Sequence, residues 1–298
     1  MIYEYIEHHT NILPENRLIH KSNIEFKLKF LEDLFNASIG GWPQEQRETM
    51  KFQIDPSDSL SPEARAFPGG LYRIIFPIRI VHELESLVYQ GDVSLQDEDS
   101  FETRIILIAL MLCLSHEMIH CARGHLDEDL NCSKSEEMDA DFMGGGLIWG
   151  WQKNQPKLLS KYGFGSVEDI AYEMGYAALS LCLLFQKYHD ECDGYHLPRQ
   201  RLFSFLAGFT NPIRQIHGDL QAVNITKIQE LGINKAKTTF NKGEFSVFIS
   251  KIFEDERNLD DYNEALSCTQ EKLDINIEKW HKFSFLLKPI KHLLNKQK

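Results

Sequence analysis

The chain has 298 residues and a net charge of −12, and its hydrophobic and charged fractions are 43% and 26%. These values are typical of a soluble globular protein with one large or two modest domains. The acidic balance argues against nucleic acid as a partner, because binding to phosphates requires a dense basic surface.

The sequence also argues against a membrane partner. Its longest apolar run, residues 105–114, is too short to cross a bilayer, and the N-terminus does not resemble a signal peptide. The six cysteines form no Cys-x-x-Cys pair, which favours reduced thiols over a disulfide framework. We therefore expect a cytoplasmic protein.

The first third of the chain predicts helices and a short strand. Residues 1–40 carry apolar side chains at helical spacing, and GGWP at 40–43 ends this region. Residues 44–68 are polar and contain prolines, which predicts a loop or an ordered connector. LYRIIF, residues 71–76, is rich in β-forming residues and predicts a strand, and IRIVHELESLVY after it predicts a helix.

The rest of the chain is predicted to be helical. A helix over 101–122 is apolar on all sides in its first half, so it should be buried in the core. Further helices are predicted over residues 135–151, 166–189, 235–256 and 260–285. The pattern predicts an α+β fold that is mostly α. We divide it into an N-terminal helical extension (1–68), a core (69–211) and a C-terminal helical region (212–298).

The predicted buried helix ends in LSHEMIHCARGH, residues 114–125, which contains His-Glu-x-x-His. His116 and His120 share one face of a helix, so their imidazoles can meet at one metal ion. Glu117 lies one position further round, where its carboxylate can act as a general base on a water molecule. The alternative is a solvated pair of histidines, but the buried helix before them favours a cleft.

A catalytic zinc site requires a third protein ligand and an open fourth position. In SEEMDADFMGGG, residues 135–146, Glu137 and Asp141 share a helix face. Glu137 can supply the third ligand, and Asp141 can accept a hydrogen bond from the outer nitrogen of a ligating histidine. The glycines at 144–146 either let this helix approach the first one closely or end it.

Other side chains near the motif have simpler interpretations. His125 follows a predicted helix stop, which favours a loop histidine over a metal ligand. Asp139 and Glu136 are interpreted as solvated positions on the second helix. Trp149 and Trp151 are interpreted as core or interface residues.

The combination of His-Glu-x-x-His, His125 and Glu-x-x-Ala-Asp (Glu137 to Asp141) resembles the gluzincin metallopeptidases. It is most similar to the Lit family of phage-exclusion peptidases and is related to the HtpX and CAAX-prenyl-protease type, whose membrane helices have no counterpart here. The resemblance covers about residues 104–151. It implies a zincin-like core with Zn²⁺ held by His116, His120 and Glu137, and with Glu117 as the general base.

The resemblance also implies roles outside this block. In these families a later His-Pro followed by Arg helps to hold the oxyanion. This chain has YHLPRQR, which makes His196 and Arg201 the candidates for this catalytic role. It departs from the family pattern, because the proline is displaced by one residue and the arginine spacing is one shorter. A strand beside the metal helix binds extended substrate in these families, and LYRIIF is the candidate.

Lit-like peptidases cleave elongation factor Tu in the cytosol when a phage peptide triggers them. The resemblance therefore implies a protein or peptide substrate, such as a translation factor, a peptide activator and a role in phage defence. Two alternatives remain open. One is a regulatory metalloprotein, such as a toxin–antitoxin component, that acts through protein interaction. The other is a protease that cleaves a transcriptional repressor. Four protein ligands would favour a structural zinc site, and an open fourth position would favour an enzyme.

Overall fold

The computed structural model describes residues 1–41, 44–90, 97–123, 125–126, 134–188 and 198–254. The helix predicted over 260–285 and the candidate His196 lie outside these residues. The described part of the chain is mostly helical with one small mixed sheet, which confirms an α+β fold that is mostly α.

The helices and strands follow one another from end to end of the described chain. The helices are α1 (Ile2–His9), α2 (Arg17–Ile39), α3 (Gln44–Arg47), α4 (Ile78–Val88), α5 (Phe101–Arg123), α6 (Lys134–Asn154), α7 (Pro156–Lys161), α8 (Val167–Tyr188), α9 (Pro198–His217), α10 (Asp219–Phe240) and α11 (Glu244–Glu254). The strands are β1 (Met50–Asp55), β2 (Glu63–Phe67) and β3 (Leu71–Pro77).

The sheet has β3 at its centre. β1 is parallel to β3, with Met50 opposite Tyr72, and β2 is antiparallel to β3, with Ala64 opposite Ile74. LYRIIF therefore forms the predicted strand, but both of its edges are already paired. The prediction that this strand binds substrate is wrong, because strand addition requires a free edge.

Residues 44–68, for which a connector was predicted, contain β1 and β2. Both strands precede the predicted domain boundary at residues 68 and 69 and pair with β3, which follows it. The β2–β3 turn uses Gly69 and Gly70, whose φ angles of 87° and 72° lie in the region that favours glycine. The strands are short and depend on β3 for their hydrogen bonds, so local pattern alone does not reveal them.

Helix α5 is the centre of the core. Every residue from Ile105 to Arg123 is buried, and α5 contacts β2, β3, α2, α4, α6 and α8. Among the described helices it is the one that is long and apolar enough to cross a membrane, with a mean hydropathy of 1.9, yet its apolar window is wholly buried. Helix α5 therefore lies in the core of the described fold.

Helix α6 continues through its three glycines, so the prediction of close packing is confirmed and that of a helix break is wrong. A Cβ atom at Gly144 would lie 2.9 Å from Ser115 Oγ and 3.3 Å from the backbone nitrogen of His116 in α5. A Cβ atom at Gly145 would collide with the backbone carbonyl of Phe205 in α9. The glycines thus allow α6 to pack closely against both α5 and α9. Only the contact with α5 was predicted.

The helical prediction for the C-terminal region needs a correction. A single helix over 235–256 is wrong, because α10 ends at Phe240 and α11 begins at Glu244. Gly243, with a φ of 57°, lies in the break. Helix α9 was not predicted, although it carries Arg201.

Candidate metal centre

Three predicted ligands meet where α5 packs against α6. His116 and His120 lie one helical turn apart on α5, and Glu137 lies in the first turn of α6. Nε2 of His116 is 3.3 Å from Oε2 of Glu137, and Nε2 of His120 is 3.4 Å from Oε1. The two Nε2 atoms are 2.9 Å apart. All three side chains are buried.

The spacing of these atoms fits a metal ion. In a tetrahedral zinc site with bonds of about 2.0–2.1 Å, neighbouring ligand atoms are about 3.3 Å apart. One ligand atom from each of the three residues lies within 4.8 Å of the other two. Two imidazoles and a carboxylate are a donor set that suits Zn²⁺. The group could therefore bind a metal ion.

Asp141 orients the first histidine. Its Oδ1 atom is 2.8 Å from Nδ1 of His116, and the carboxylate is fully buried. When Nε2 of His116 faces a metal ion, Nδ1–H donates this hydrogen bond and Nε2 keeps its lone pair for the ion. The role predicted for Asp141 therefore agrees with its geometry.

Arg201 reaches this centre from α9. Its Nε and Nη2 atoms each lie 2.9 Å from an oxygen of Asp141, in a two-pronged charge-assisted pair. This contact gives Arg201 a positioning role, since it fixes the carboxylate that orients His116. Its oxyanion role stays a prediction, as does that of His196, which lies outside the described residues.

His120 contacts two further buried side chains, His125 directly and Asp139 through His125, which the sequence interpretation missed. His125 is buried, with Nδ1 3.0 Å from Nδ1 of His120 and Nε2 3.2 Å from Asp139, which also pairs with Arg123. His125 lies in a turn after α5 and outside the group of possible metal ligands, as interpreted, but it is buried. The interpretation of Asp139 and Glu136 as solvated residues is wrong, because both are buried. The signal in the sequence was the complementary charge of Arg123 and Asp139, which precede and follow His125 along the chain.

The hydrogen-bond directions follow from the ligand assignment. If Nε2 of His120 faces a metal ion, its Nδ1 carries the proton and donates to Nδ1 of His125. Nε2 of His125 then faces Oδ2 of Asp139 at 3.2 Å, in an electrostatic contact without a hydrogen bond. Each ligating histidine is thus oriented by a carboxylate, directly or through a second histidine, and each carboxylate is paired with an arginine.

Burial and neighbouring charges shift the pKa values of the two histidines in opposite directions. Burial alone would lower the pKa of His116, but Asp141 and Glu137 outweigh it and raise the pKa to about 10. Burial lowers the pKa of His120 well below its usual value, and the charge on His116 lowers it further. A metal ion that binds Nε2 of His116 must displace a proton, so its affinity is expected to fall as the pH falls.

Glu117 lies beside the ligands without joining them. Burial raises its pKa to about 7, while the charge on His116 opposes this rise and that on Glu137 adds to it. A backbone hydrogen bond from Ala64 in β2 reaches its carboxylate. A buried carboxylate with a pKa near neutrality can both accept and return a proton.

We expect His125→Ala to weaken Zn²⁺ binding by about 10- to 100-fold, the usual effect of losing a residue that orients a ligand. His120 would then have no fixed tautomer. Competition with a chromophoric chelator measures this affinity. His217→Ala, which removes an exposed histidine at the end of α9, is the control and should not change it. Equal affinities in the two variants would exclude the orienting role of His125.

The described residues thus bring together His116, His120, Glu137 and Asp141 as predicted, and add His125 and Asp139. Arg201 joins the group through Asp141. The site contains a buried set of possible metal ligands with a carboxylate beside it. Comparisons of the chain with protein-family models, curated proteins and solved structures found no significant match.

Proposed function

We propose that the chain is a cytoplasmic zinc-dependent endopeptidase with a zincin-like core. The observation that carries the proposal is the buried group of His116, His120 and Glu137, with the Glu117 carboxylate beside it. In the described residues this group has three members. Three protein ligands are typical of catalytic zinc sites, whereas structural sites use four. This count supports the enzyme over the regulatory metalloprotein.

Bound at these three residues, Zn²⁺ would supply a Lewis acid for the scissile carbonyl and lower the pKa of water to about 7. Glu117 accepts the proton of the attacking water and transfers it to the leaving amine. Asp141 and His125 hold the two imidazoles in the orientation that this requires. Arg201 keeps Asp141 ionised, because its positive charge lowers the pKa of the carboxyl group.

The edge of β2 is the best candidate for binding extended substrate. Within the described sheet, β2 pairs only with β3, so its outer edge has no neighbouring strand. Ala64, in that strand, reaches the Glu117 carboxylate through its backbone. A peptide that adds to this edge would therefore run past the general base. Main-chain hydrogen bonds bind such a peptide with little dependence on its sequence.

The activity is expected to depend on pH through Glu117. The base must be ionised, so kcat/KM should rise with pH and then level off. Burial raises the pKa of Glu117 to about 7, and a bound cation would lower it, so the midpoint should lie at or below pH 7. Steady-state kinetics on a cleaved peptide measures this limb. An activity that increases as the pH falls below 7 would contradict the assignment.

The biological role that we propose is cleavage of a host protein, such as a translation factor, during phage infection. It is supported by the resemblance of residues 104–151 to the Lit family, and the same resemblance suggests a phage peptide as activator. The test is expression of wild type and Glu137→Ala in a bacterial host, with and without phage challenge, followed by proteomic identification of new protein termini.

We expect new termini in cells that express the wild type, with the largest increase after phage challenge. Glu137→Ala removes one of the three ligands, so the same termini should be missing. Termini that persist in Glu137→Ala would show that another protease makes them. If wild type produces no new termini under either condition, the proposal of a defence protease fails.

A further inference from the structure

A second buried cluster lies between α2 and α4. It consists of His20 and Lys27 on α2 and His82 and Glu85 on α4. His20, Lys27 and Glu85 are each at most 2% exposed, and His82 is half-buried. Nε2 of His20 is 3.0 Å from Nδ1 of His82, and Lys27 Nζ is 2.7 Å from Oε1 of Glu85. Four polar side chains thus occupy a helix–helix contact that apolar residues could fill.

Two atoms in the cluster lack an ordinary partner. Nδ1 of His20 and Oε2 of Glu85 are 3.2 Å apart, yet neither makes a hydrogen bond within the described residues. Proteins rarely leave buried polar atoms in this condition, and each case requires an explanation. A cation bound to Oε2 of Glu85 would satisfy that oxygen. Nε2 of His20 now faces His82, so a rotation of the His20 ring would bring one of its nitrogens to the same ion.

The donor set matches that of the first centre. His20, His82 and Glu85 each offer a ligand atom within 4.8 Å of the other two. As at the first centre, one helix supplies two ligands from successive positions on one face, here His82 and Glu85, and a second helix supplies the third. Two imidazoles and one carboxylate suit Zn²⁺ better than Mg²⁺ or Ca²⁺, which prefer oxygen ligands.

We propose that His20, His82 and Glu85 form a second metal site, which binds a divalent transition-metal ion such as Zn²⁺ and ties α2 to α4. Lys27 holds Oε1 of Glu85 and leaves Oε2 for the ion. His20 and Glu85 are almost completely buried, so the ion lies inside the contact between the two helices. The site shares no residue with the first centre and does not rest on the proposed function.

The decisive measurement is the number of zinc ions bound by each purified full-length chain. Metal-stripped protein is dialysed against Zn²⁺ and analysed by mass spectrometry of the metal. We expect two ions for wild type, one for Glu137→Ala, one for His82→Ala and none for the double variant. His82 is chosen because it is the least buried of the three ligands. His217→Ala is the control and should bind two ions.

The same variants distinguish the two sites. If His82→Ala binds as many ions as wild type, the second site does not exist. If Glu137→Ala loses no ion but His82→Ala loses one, the first site fails while the second stands. Circular dichroism of each variant confirms that it is folded, and His82→Asn provides a smaller substitution that should also lose one ion.

Thermal unfolding gives an independent result. An ion that binds only the folded chain raises the melting temperature. In the Glu137→Ala chain, added Zn²⁺ should still raise it, because the site at α2 and α4 is intact. In the chain that also carries His82→Ala, the shift should disappear. A shift of equal size in both chains would overturn the proposal.

Discussion

Glu117→Gln is expected to abolish proteolysis and to leave the zinc bound. Glutamine has nearly the same shape as glutamate but cannot accept a proton, so the loss should be on the order of 10²- to 10⁴-fold in kcat. The ligands His116, His120 and Glu137 are unchanged, so metal content should stay at the wild-type value. Assays of peptide cleavage and of metal content on the same preparation test the loss of activity and the retention of zinc.

Glu102→Gln is the matched control for this experiment. Glu102 lies on the same helix, α5, but is exposed near its N-terminus. This variant should keep both its activity and its zinc. If Glu117→Gln cleaves as fast as Glu102→Gln, Glu117 is not the general base. If it instead loses zinc, the carboxylate contributes to binding the ion, and the proposed division between ligands and base is wrong.

Gly145→Ala is expected to destabilise the protein by about 3 kcal/mol, at the upper end of the usual cost of overpacking. The added methyl group would collide with the backbone carbonyl of Phe205, which cannot move away as a side chain could. Helices α6 and α9 must then separate. Because Arg201 on α9 holds Asp141 on α6, zinc affinity should also fall. Chemical denaturation and chelator competition measure the two effects.

Gly150→Ala provides the control on the same helix. A Cβ atom at Gly150 meets nothing within 4 Å, so alanine there should be neutral or stabilise the helix by up to about 1 kcal/mol. The two variants make the same chemical change at positions of opposite crowding. If both have the same stability, the contact between α6 and α9 is looser than the structure indicates.

The grouping of the possible metal ligands could be predicted because their spacing along the chain contains most of the geometry. His116 and His120 are placed by the helix itself, and Glu137 and Asp141 by the next helix. The sequence did not specify how the two helices pack on each other, except that the glycine at 144 indicated a close approach. The contact of His125 with His120 could not be predicted in the same way, because His125 lies between the two helices and helical periodicity does not apply there.

Other features depend on contacts between distant parts of the chain. The short strands β1 and β2 exist because β3 pairs with both, and neither has a strong pattern of its own. The cluster at α2 and α4 joins residues that are 62 positions apart in sequence, His20 and His82. Neither histidine belongs to a recognisable sequence motif, and each is a single histidine in a helix. Only tertiary packing shows that they meet.

The complete burial of α5 bears on the order in which a newly made chain can acquire its shape. A ribosome that has released residues up to Asn154 has supplied all three ligands, His116, His120 and Glu137, but α8, which covers part of α5, is still to come. Arg201 emerges later still. During this interval the apolar surface of α5 that α8 later covers is open to other contacts, and exposed apolar surface favours aggregation. Synthesis of α8 therefore ends the period in which this surface is uncovered.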